Sequence, residues 1–209
     1  MVEITPAILE NNWSDIEDKI KLVEGVTKWV HIDVADGQFV PVVTWGAPDD
    51  LELLTGTAKI EVHLMVEHPE EVVAVWMNVA DRLVVHLEAT EKIEDLVDAF
   101  QFTNTKLGLA ILLETPIADI VPYAHRVDVI QLMGIKKVGF QGEKFDPITL
   151  ARIKELRAKA PTAKIQIDGG VNLETGRDAV AAGADTLVIG SALWDSGDVE
   201  GIIEKFKEL

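Results

Sequence analysis

The 209-residue chain contains no cysteine, which excludes disulfide bonds and thiolate metal sites and fits the cytoplasmic location that we expect. It also lacks any run of about 18 apolar residues that could span a membrane, and its first residues do not have the pattern of a secretory signal. Basic residues are scarce, since 19 lysines and arginines stand against 36 acidic residues and give a net charge of -17. We therefore expect neither nucleic acid nor a membrane surface as a partner.

Apolar segments with the alternation of β-strands recur eight times along the chain. The predicted strands are residues 3–9, 28–34, 59–65, 82–86, 106–112, 126–133, 164–168 and 186–190. Apolar residues at spacings of three and four predict helices at 14–24, 93–100, 117–123, 147–160, 173–182 and 199–209. This alternation predicts an α/β fold, a (β/α)8 TIM barrel, in one domain of residues 1–209. An open doubly wound sheet is the alternative, but no glycine-rich fingerprint follows the first strand.

Two of the predicted helices begin with capping signals. Ser14 followed three residues later by Glu17 matches a capping box. Asp146 places a cap residue directly before Pro147, at what would be the first helical position. We therefore expect Ser14 and Asp146 to cap the helices that follow them.

Four ionisable residues lie near the C-terminal ends of predicted strands: His31 and Asp33 in WVHIDV, His63 in KIEVHLM and Asp168 in KIQIDGG. In each strand they alternate with apolar residues that occupy the other face. Any one of them alone would be taken for a hydrogen-bonded core residue or a helix cap. Charged groups on buried strands are costly, however, unless they are paired or bound to a metal. Together they predict a divalent-metal site with two carboxylates available for proton transfer, at the end of the barrel where catalytic groups lie.

The segments around these four residues resemble the ribulose-phosphate 3-epimerase family. They are HIDVADGQFVP (31–41), EVHLMVEHPE (61–70), VHLEAT (85–90), IDGGVN (167–172) and AAGADTLVIGSALW (181–194). The similarity runs in order from ITPAIL (4–9) to the last strand and so extends over nearly the whole chain. The resemblance implies a TIM barrel of the ribulose-phosphate-binding type. It also implies an isomerase of carbohydrate metabolism, in the pentose phosphate pathway, that inverts C3 of a ketose phosphate through an enediolate. D-ribulose 5-phosphate and D-xylulose 5-phosphate are the leading substrate pair.

The resemblance further implies roles for individual residues. Asp33 and Asp168 act as acid and base on opposite faces of the substrate, and one divalent ion (zinc, iron, manganese or cobalt) is bound by those two carboxylates together with His31 and His63. The implied substrate-binding residues are His63, Met65, Met133, Gly139, Gly142, Gly169, Gly170, Gly190 and Ser191. For the two methionines, flexible filling of the core is the alternative. The partner is thus a small sugar phosphate, and because family members commonly associate, a homo-oligomer is compatible with the resemblance.

The chain departs from the family pattern at three places, and these departures leave the substrate open. Ala7 stands where the family has serine in a string like PSIL, Ala35 replaces a methionine, and the loop 134–145 has one extra residue and no Pro-Gly turn. Lys136 and Lys137 in that loop either contact phosphate or are simply solvated.

Three alternative functions remain open from the residues. A ketohexose 6-phosphate or an unphosphorylated ketose could be epimerised at the same carbon, because Ala7 and Ala35 both enlarge the pocket. A non-catalytic barrel that binds a sugar phosphate is a second alternative. A decarboxylase or aldolase is the third, but no lysine is expected at an inward strand end to serve as electrophile or Schiff base.

Overall fold

The computed structural model describes residues 2–209 and contains eight parallel strands that close into a barrel, as the sequence predicts. Each strand pairs with the next along the chain, and the last pairs with the first. The strands are β1 (Glu3–Ile8), β2 (Trp29–Ala35), β3 (Lys59–Met65), β4 (Arg82–His86), β5 (Lys106–Ile111), β6 (Val129–Met133), β7 (Ile165–Asp168) and β8 (Thr186–Ile189). The predicted TIM barrel is therefore confirmed.

Helices follow the strands and cover the outside of the barrel. They are α1 (Trp13–Val23), α2 (Val73–Trp76), α3 (Ile93–Phe100), α4 (Ile117–Ile120), α5 (Ile148–Lys159), α6 (Leu173–Ala182), α7 (Ser191–Trp194) and α8 (Val199–Lys207). The one-turn helices α2 and α7 were not predicted, because four residues are too few to show a helical period. Within residues 2–209, no helix combines the length and the apolar character needed to cross a membrane.

The outer face of the barrel is apolar, which explains why the strands and helices pack together. Ile165 and Ile167 of β7 are fully buried, as are Ile153 and Leu156 of α5, and all four belong to the main hydrophobic core between the sheet and the helices. Burial of one such side chain contributes about 1.5–3 kcal/mol to stability. The alternating pattern of the strands therefore leaves the opposite face, which lines the inside of the barrel, free to carry polar groups.

The strand register brings the predicted site residues together at one end of the barrel. In the pairing of β2 with β3, Asp33 lies beside His63 and His31 lies beside Glu61. Asp168 lies at the C-terminal end of β7 and pairs with Met133 of β6. Because the strands are parallel, their carboxyl ends meet at the same rim.

The sixth strand begins three residues later than predicted. The apolar pattern suggested a strand from residue 126, whereas β6 begins at Val129. Arg126 lies outside the sheet in a turn, where its backbone N–H donates to the carbonyl of Tyr123 at 2.8 Å, and its guanidinium binds the carboxylates of Glu94 and Asp98 on α3. This turn thus occupies the start of the predicted strand, and the apolar pattern of the sequence does not show it.

The cap of the first helix is Asn12, so the predicted cap at Ser14 is wrong. The side-chain oxygen of Asn12 accepts a hydrogen bond from the backbone N–H of Asp15 at 3.0 Å. Ser14 already lies inside the helix, because Trp13 is its first residue and packs against Trp45 with ring centres 5.4 Å apart. At α5 the prediction is closer, since the Asp146 carboxylate accepts from the N–H of Ile148 at 3.0 Å.

We expect Asn12→Ala to lower the free energy of unfolding by about 1 kcal/mol, because it leaves an N–H group of the first turn without its acceptor. Ser14→Ala is the matched control and should change the stability little, since its side chain caps nothing. Urea denaturation of both variants measures the difference. An equal or larger loss in Ser14→Ala would contradict the assignment of the cap.

Candidate metal and active site

Four side chains from three strands bring one ligand atom each to a common point at the mouth of the barrel. His31, Asp33, His63 and Asp168 are buried, and the four atoms all lie within 4.8 Å of one another. Asp33 Oδ1 is 3.3 Å from His31 Nε2 and 3.0 Å from His63 Nδ1. Asp168 Oδ2 is 3.9 Å from His31 Nε2 and 3.5 Å from His63 Nδ1. The predicted set of four is therefore brought together completely.

This arrangement fits a divalent metal ion. Ligand atoms about 2.1 Å from one ion lie roughly 3–3.5 Å apart when they occupy adjacent positions around it, and the separations between Asp33 and the two imidazoles fall in that range. Two imidazole nitrogens with two carboxylate oxygens are donors that first-row transition metals accept. An ion would also supply the positive charge that two buried carboxylates need. These four residues can therefore hold a metal ion.

The pKa values of Asp33 and Asp168 are shifted in opposite directions in the metal-free protein. Burial alone would raise the pKa of Asp33, but the charge of His31 and hydrogen bonds from both imidazoles outweigh it and hold that pKa well below its usual range. Burial and the nearby charge of Asp33 raise the pKa of Asp168 to about 6. Two carboxyl groups that share one site thus differ in how readily they take up a proton.

The second nitrogen of His31 faces a buried carboxylate. His31 Nδ1 lies 2.6 Å from Glu61 Oε1, and Glu61 also forms an ion pair with Arg82. Burial would lower the pKa of His31, but Asp33 and Glu61 raise it well above 6.5. For Glu61 the effects of burial are outweighed by the hydrogen bond from His31 and the charge of Arg82, which lower its pKa to about 2. Glu61 is therefore ionised beneath the cluster.

Two glutamines connect Glu61 to the other side of the cluster. Gln166 Nε2 donates to Glu61 Oε1 and to Gln131 Oε1, both at 2.7 Å. Gln131 Nε2 in turn donates to Asp168 Oδ2 at 3.1 Å. Residues from β3, β6 and β7 thus contact one another across the inside of the barrel, where branched apolar side chains are usual.

His86 on β4 lies against the imidazole of His63. Their Nε2 atoms are 2.9 Å apart and the rings stack with centres 5.0 Å apart. The ring of Phe39 also packs against the imidazole of His86, with ring centres 4.7 Å apart. Burial lowers the pKa of His86 to about 4, so the ring is neutral near neutral pH. His86 thus lies directly behind a predicted ligand.

A cleft opens above the cluster at the mouth of the barrel. Asp33 and Asp168 reach its floor, whereas His31 and His63 are not among its lining residues. The other predicted site residues that line it are Met65, Met133, Gly139, Gly142, Gly169, Gly170, Gly190 and Ser191. The predicted substrate residues, His63 excepted, therefore share one cleft.

The altered loop after β6 forms one wall of the cleft. Gln141 from this loop lines the cleft, and so does Ala7 from β1. Lys136 and Lys137 do not line it. Lys136 is exposed and its ammonium lies 3.3 Å from the Asp146 carboxylate. The structure thus favours a solvated, ion-paired role for Lys136 over contact with a ligand in this cleft.

Several polar residues of the site were missed at the sequence level. They are Glu61, Arg82, Gln131, Gln141 and Gln166. Glutamine and arginine on short strands resemble ordinary polar residues, and only the closure of the barrel brings β3, β4, β6 and β7 into contact across its interior.

Comparison with known proteins finds one family for nearly the whole chain. Residues 3–194 match the model described as the ribulose-phosphate 3 epimerase family. Ribulose-phosphate 3-epimerase of Bacillus subtilis is 33% identical over 216 residues, which is 99% of this chain and 99% of that protein. The enzyme of the same name from Eremothecium gossypii is 32% identical over 219 residues, covering 98% of this chain and 91% of that protein.

Solved structures with the same fold include more distant proteins. The structure of 3-hexulose-6-phosphate synthase from Salmonella typhimurium superimposes with a TM-score of 0.76, covers 99% of this chain and 97% of that chain, and is 16% identical in sequence. Orotidine 5'-monophosphate decarboxylase from Methanocaldococcus jannaschii gives a TM-score of 0.72 at 14% identity, covering 100% and 98%. At these identities the likeness shows a common barrel fold.

We expect binding of a divalent metal to tighten between pH 5 and pH 7 and to release more protons at the lower pH. The carboxyl group of Asp168, with its pKa of about 6, is protonated near pH 5 and ionised near pH 7. An incoming ion must therefore displace the carboxyl proton of Asp168 only at the lower pH. Calorimetric titration in two buffers with different ionisation enthalpies counts the released protons.

Asp168→Asn is the control for this titration, because an amide in place of the carboxyl group has no proton to lose. In that variant the difference in proton release between the two pH values should shrink by about one proton. The same proton release near pH 5 and near pH 7 in the unaltered protein would contradict the raised pKa of Asp168.

Proposed function

Because the chain belongs to the ribulose-phosphate 3-epimerase family, we propose that it interconverts D-ribulose 5-phosphate and D-xylulose 5-phosphate by inverting C3. The enzyme is thus an isomerase, and a place in pentose phosphate metabolism is consistent with the family name. The observation that carries the proposal is the pair of Asp33 and Asp168. They come from strands β2 and β7, meet within one 4.8 Å cluster, and both reach the floor of the same cleft.

The two carboxylates perform the proton transfers. Loss of the C3 proton, next to the carbonyl, gives an enediolate, and return of a proton from the opposite face gives the other epimer. Inversion therefore needs one group on each face of the substrate. The placement of the two groups supports this division, because Asp33 and Asp168 come from β2 and β7, three positions apart in the ring of eight strands, and both line the cleft.

His31, Asp33, His63 and Asp168 hold one divalent ion, and its donor set suits zinc, iron, manganese or cobalt. When bound, such an ion supplies Lewis acidity that stabilises negative charge on the substrate's oxygens. The residues beneath it orient the ligands. His31 donates a hydrogen bond to the carboxylate of Glu61, and Asp168 accepts one from the amide of Gln131. The positive charge also lets two carboxylates remain close together without like-charge repulsion.

Met65 and Met133 line the substrate on its apolar side. They are 1% and 2% exposed and pack in one small cluster with Ala35, Val40 and Val138, apart from the main core. A thioether has no strong donor or acceptor, so it excludes water from the reacting carbon without competing for the proton. This position at the cleft favours the substrate-lining role over simple filling of the core.

The phosphate group lies at the loops that follow β7 and β8. Gly169 and Gly170 have φ angles of +100° and +69°, which favour glycine, and a Cβ on Gly170 would lie 2.4 Å from the backbone nitrogen of Phe145. Together with Gly190 and Ser191 they line the cleft and expose backbone to it. Glycine lets backbone N–H groups approach an anion closely, and TIM barrels commonly bind phosphate at these two loops.

Three further expectations complete the proposal. Residues 1–209 form a single domain, supported by a barrel whose first and last strands pair. Ala7 at the cleft leaves room for a bulkier ketose phosphate, so a ketohexose 6-phosphate is the second candidate substrate. The cytoplasmic location, the absence of nucleic-acid and membrane partners, and the association of copies remain predictions.

We expect Asp33→Asn and Asp168→Asn each to lower epimerisation of D-ribulose 5-phosphate by about 100-fold or more, because each removes one proton-transfer group. Each variant keeps one carboxylate and should still exchange the C3 hydrogen of one epimer with deuterium from solvent. The two variants should differ in which epimer, D-ribulose 5-phosphate or D-xylulose 5-phosphate, they label. Proton NMR of both sugars in D₂O measures this exchange.

The control is Asp178→Asn, an exposed carboxylate on α6 that should leave epimerisation unchanged. The metal content of each variant separates lost ligation from lost proton transfer. Labelling of the same epimer by both active-site variants would contradict the two-base scheme. Absence of any exchange by the unaltered, metal-loaded protein would instead indicate a barrel that only binds the sugar phosphate. The C3 hydrogen of D-ribulose, which has no phosphate group, should exchange with solvent deuterium far more slowly than that of D-ribulose 5-phosphate.

A further inference from the structure

A buried ion pair lies one layer below the four ligand residues, and the proton-transfer scheme makes no use of it. Glu61 and Arg82 are 0% and 2% exposed, and Arg82 Nε donates to Glu61 Oε2. The guanidinium carbon of Arg82 lies 4.1 Å from the centre of the Trp29 ring. Stability alone does not account for such a pair, since apolar residues of similar volume often replace buried ion pairs without loss.

The contacts of Glu61 point toward the metal site. Its Oε1 is 2.6 Å from His31 Nδ1, and the same imidazole directs Nε2 toward Asp33 and Asp168. A carboxylate paired with arginine can only accept hydrogen bonds, so the nitrogen that faces it must carry a proton. A neutral imidazole has one N–H, and its other nitrogen then has a free lone pair. In the metal-bound protein, where the imidazole of His31 must be neutral, that lone pair therefore lies at Nε2.

The same acceptor sets the direction of a hydrogen-bond chain to the second carboxylate. Both N–H groups of Gln166 are used, one toward Glu61 and one toward Gln131, each at 2.7 Å. The amide of Gln131 accepts at its oxygen, so its nitrogen faces Asp168 and donates at 3.1 Å. An acceptor at position 61 is thus required for both amides to keep this orientation.

We propose that Glu61 is a positioning residue that keeps the proton of His31 on Nδ1, presents Nε2 to the metal ion and, through Gln166 and Gln131, orients the carboxylate of Asp168. This inference rests on the metal binding in the proposed function. Histidine ligands commonly donate their second N–H to a carboxylate, and loss of such a partner typically weakens metal binding about 10–100-fold. The alternative is that Glu61 serves only as the counter-charge of Arg82.

The test replaces both members of the ion pair, because removal of Glu61 alone leaves the buried charge of Arg82 uncompensated. Glu61→Leu/Arg82→Met keeps comparable apolar volume and should remain folded. Thr186→Val is the matched control. Thr186 is fully buried on β8 beside Gln166, and within residues 2–209 its hydroxyl has no hydrogen-bond partner.

Zinc and cobalt dissociation constants, measured by competition with a chelator, distinguish the two roles. We expect the double variant to bind each ion about 10–100-fold more weakly, while its thermal unfolding stays cooperative and Thr186→Val binds as the unaltered protein does. Binding by the folded double variant within about twofold of the unaltered protein would overturn the inference. Failure of the unaltered protein to bind either ion would instead overturn the proposed metal site.

A second measurement needs no variant and applies even where the double variant does not fold. Nitrogen-15 NMR of the zinc-loaded, unaltered protein should show a protonated Nδ1 and a metal-bound Nε2 for His31, with the Nδ1 proton exchanging slowly because the side chain is fully buried. A proton on Nε2, or a metal bound at Nδ1, would overturn the inference whatever the affinities are.

Discussion

Charged side chains inside a barrel are stable only where other charges or hydrogen bonds compensate them, and this requirement extends from the mouth of the barrel to its floor. At the mouth, Asp33 and Asp168 face each other across two imidazoles. One layer below, the charge of Glu61 is balanced by Arg82. Part of the interior of this barrel is thus a connected polar column, and it lies beside a small apolar cluster of Val84, Ala110 and Val129.

The two layers divide the work of the site. In the proposed function, the upper layer binds the ion and moves protons, so its groups must be able to change their charge. The lower layer holds an ion pair and two amides whose orientations follow from one acceptor, Glu61. Ligands fixed by buried hydrogen bonds lose little freedom when an ion binds, which is the advantage of a preorganised site. The polar interior therefore supports function more directly than stability.

Much of this arrangement could be predicted from the sequence, because it depends on local rules. A period of two placed Asp33, His63 and Asp168 on inward faces, and parallel strands bring such residues to one rim. The lower layer could not be predicted, since Gln166 meets Glu61 only across the closed barrel and Gln131 is connected to Glu61 only through Gln166. The cap at Asn12 was missed for a different reason: two good cap residues stand two positions apart, and the packing of Trp13 decides between them.

The central claim is that two imidazoles and two carboxylates from β2, β3 and β7 share one ion. X-ray absorption spectroscopy of the zinc-loaded protein tests it most directly, because imidazole rings give a recognisable pattern of outer-shell scattering. We expect a first shell of nitrogen and oxygen with two imidazoles. A shell of oxygen alone, or one without imidazole scattering, would contradict it.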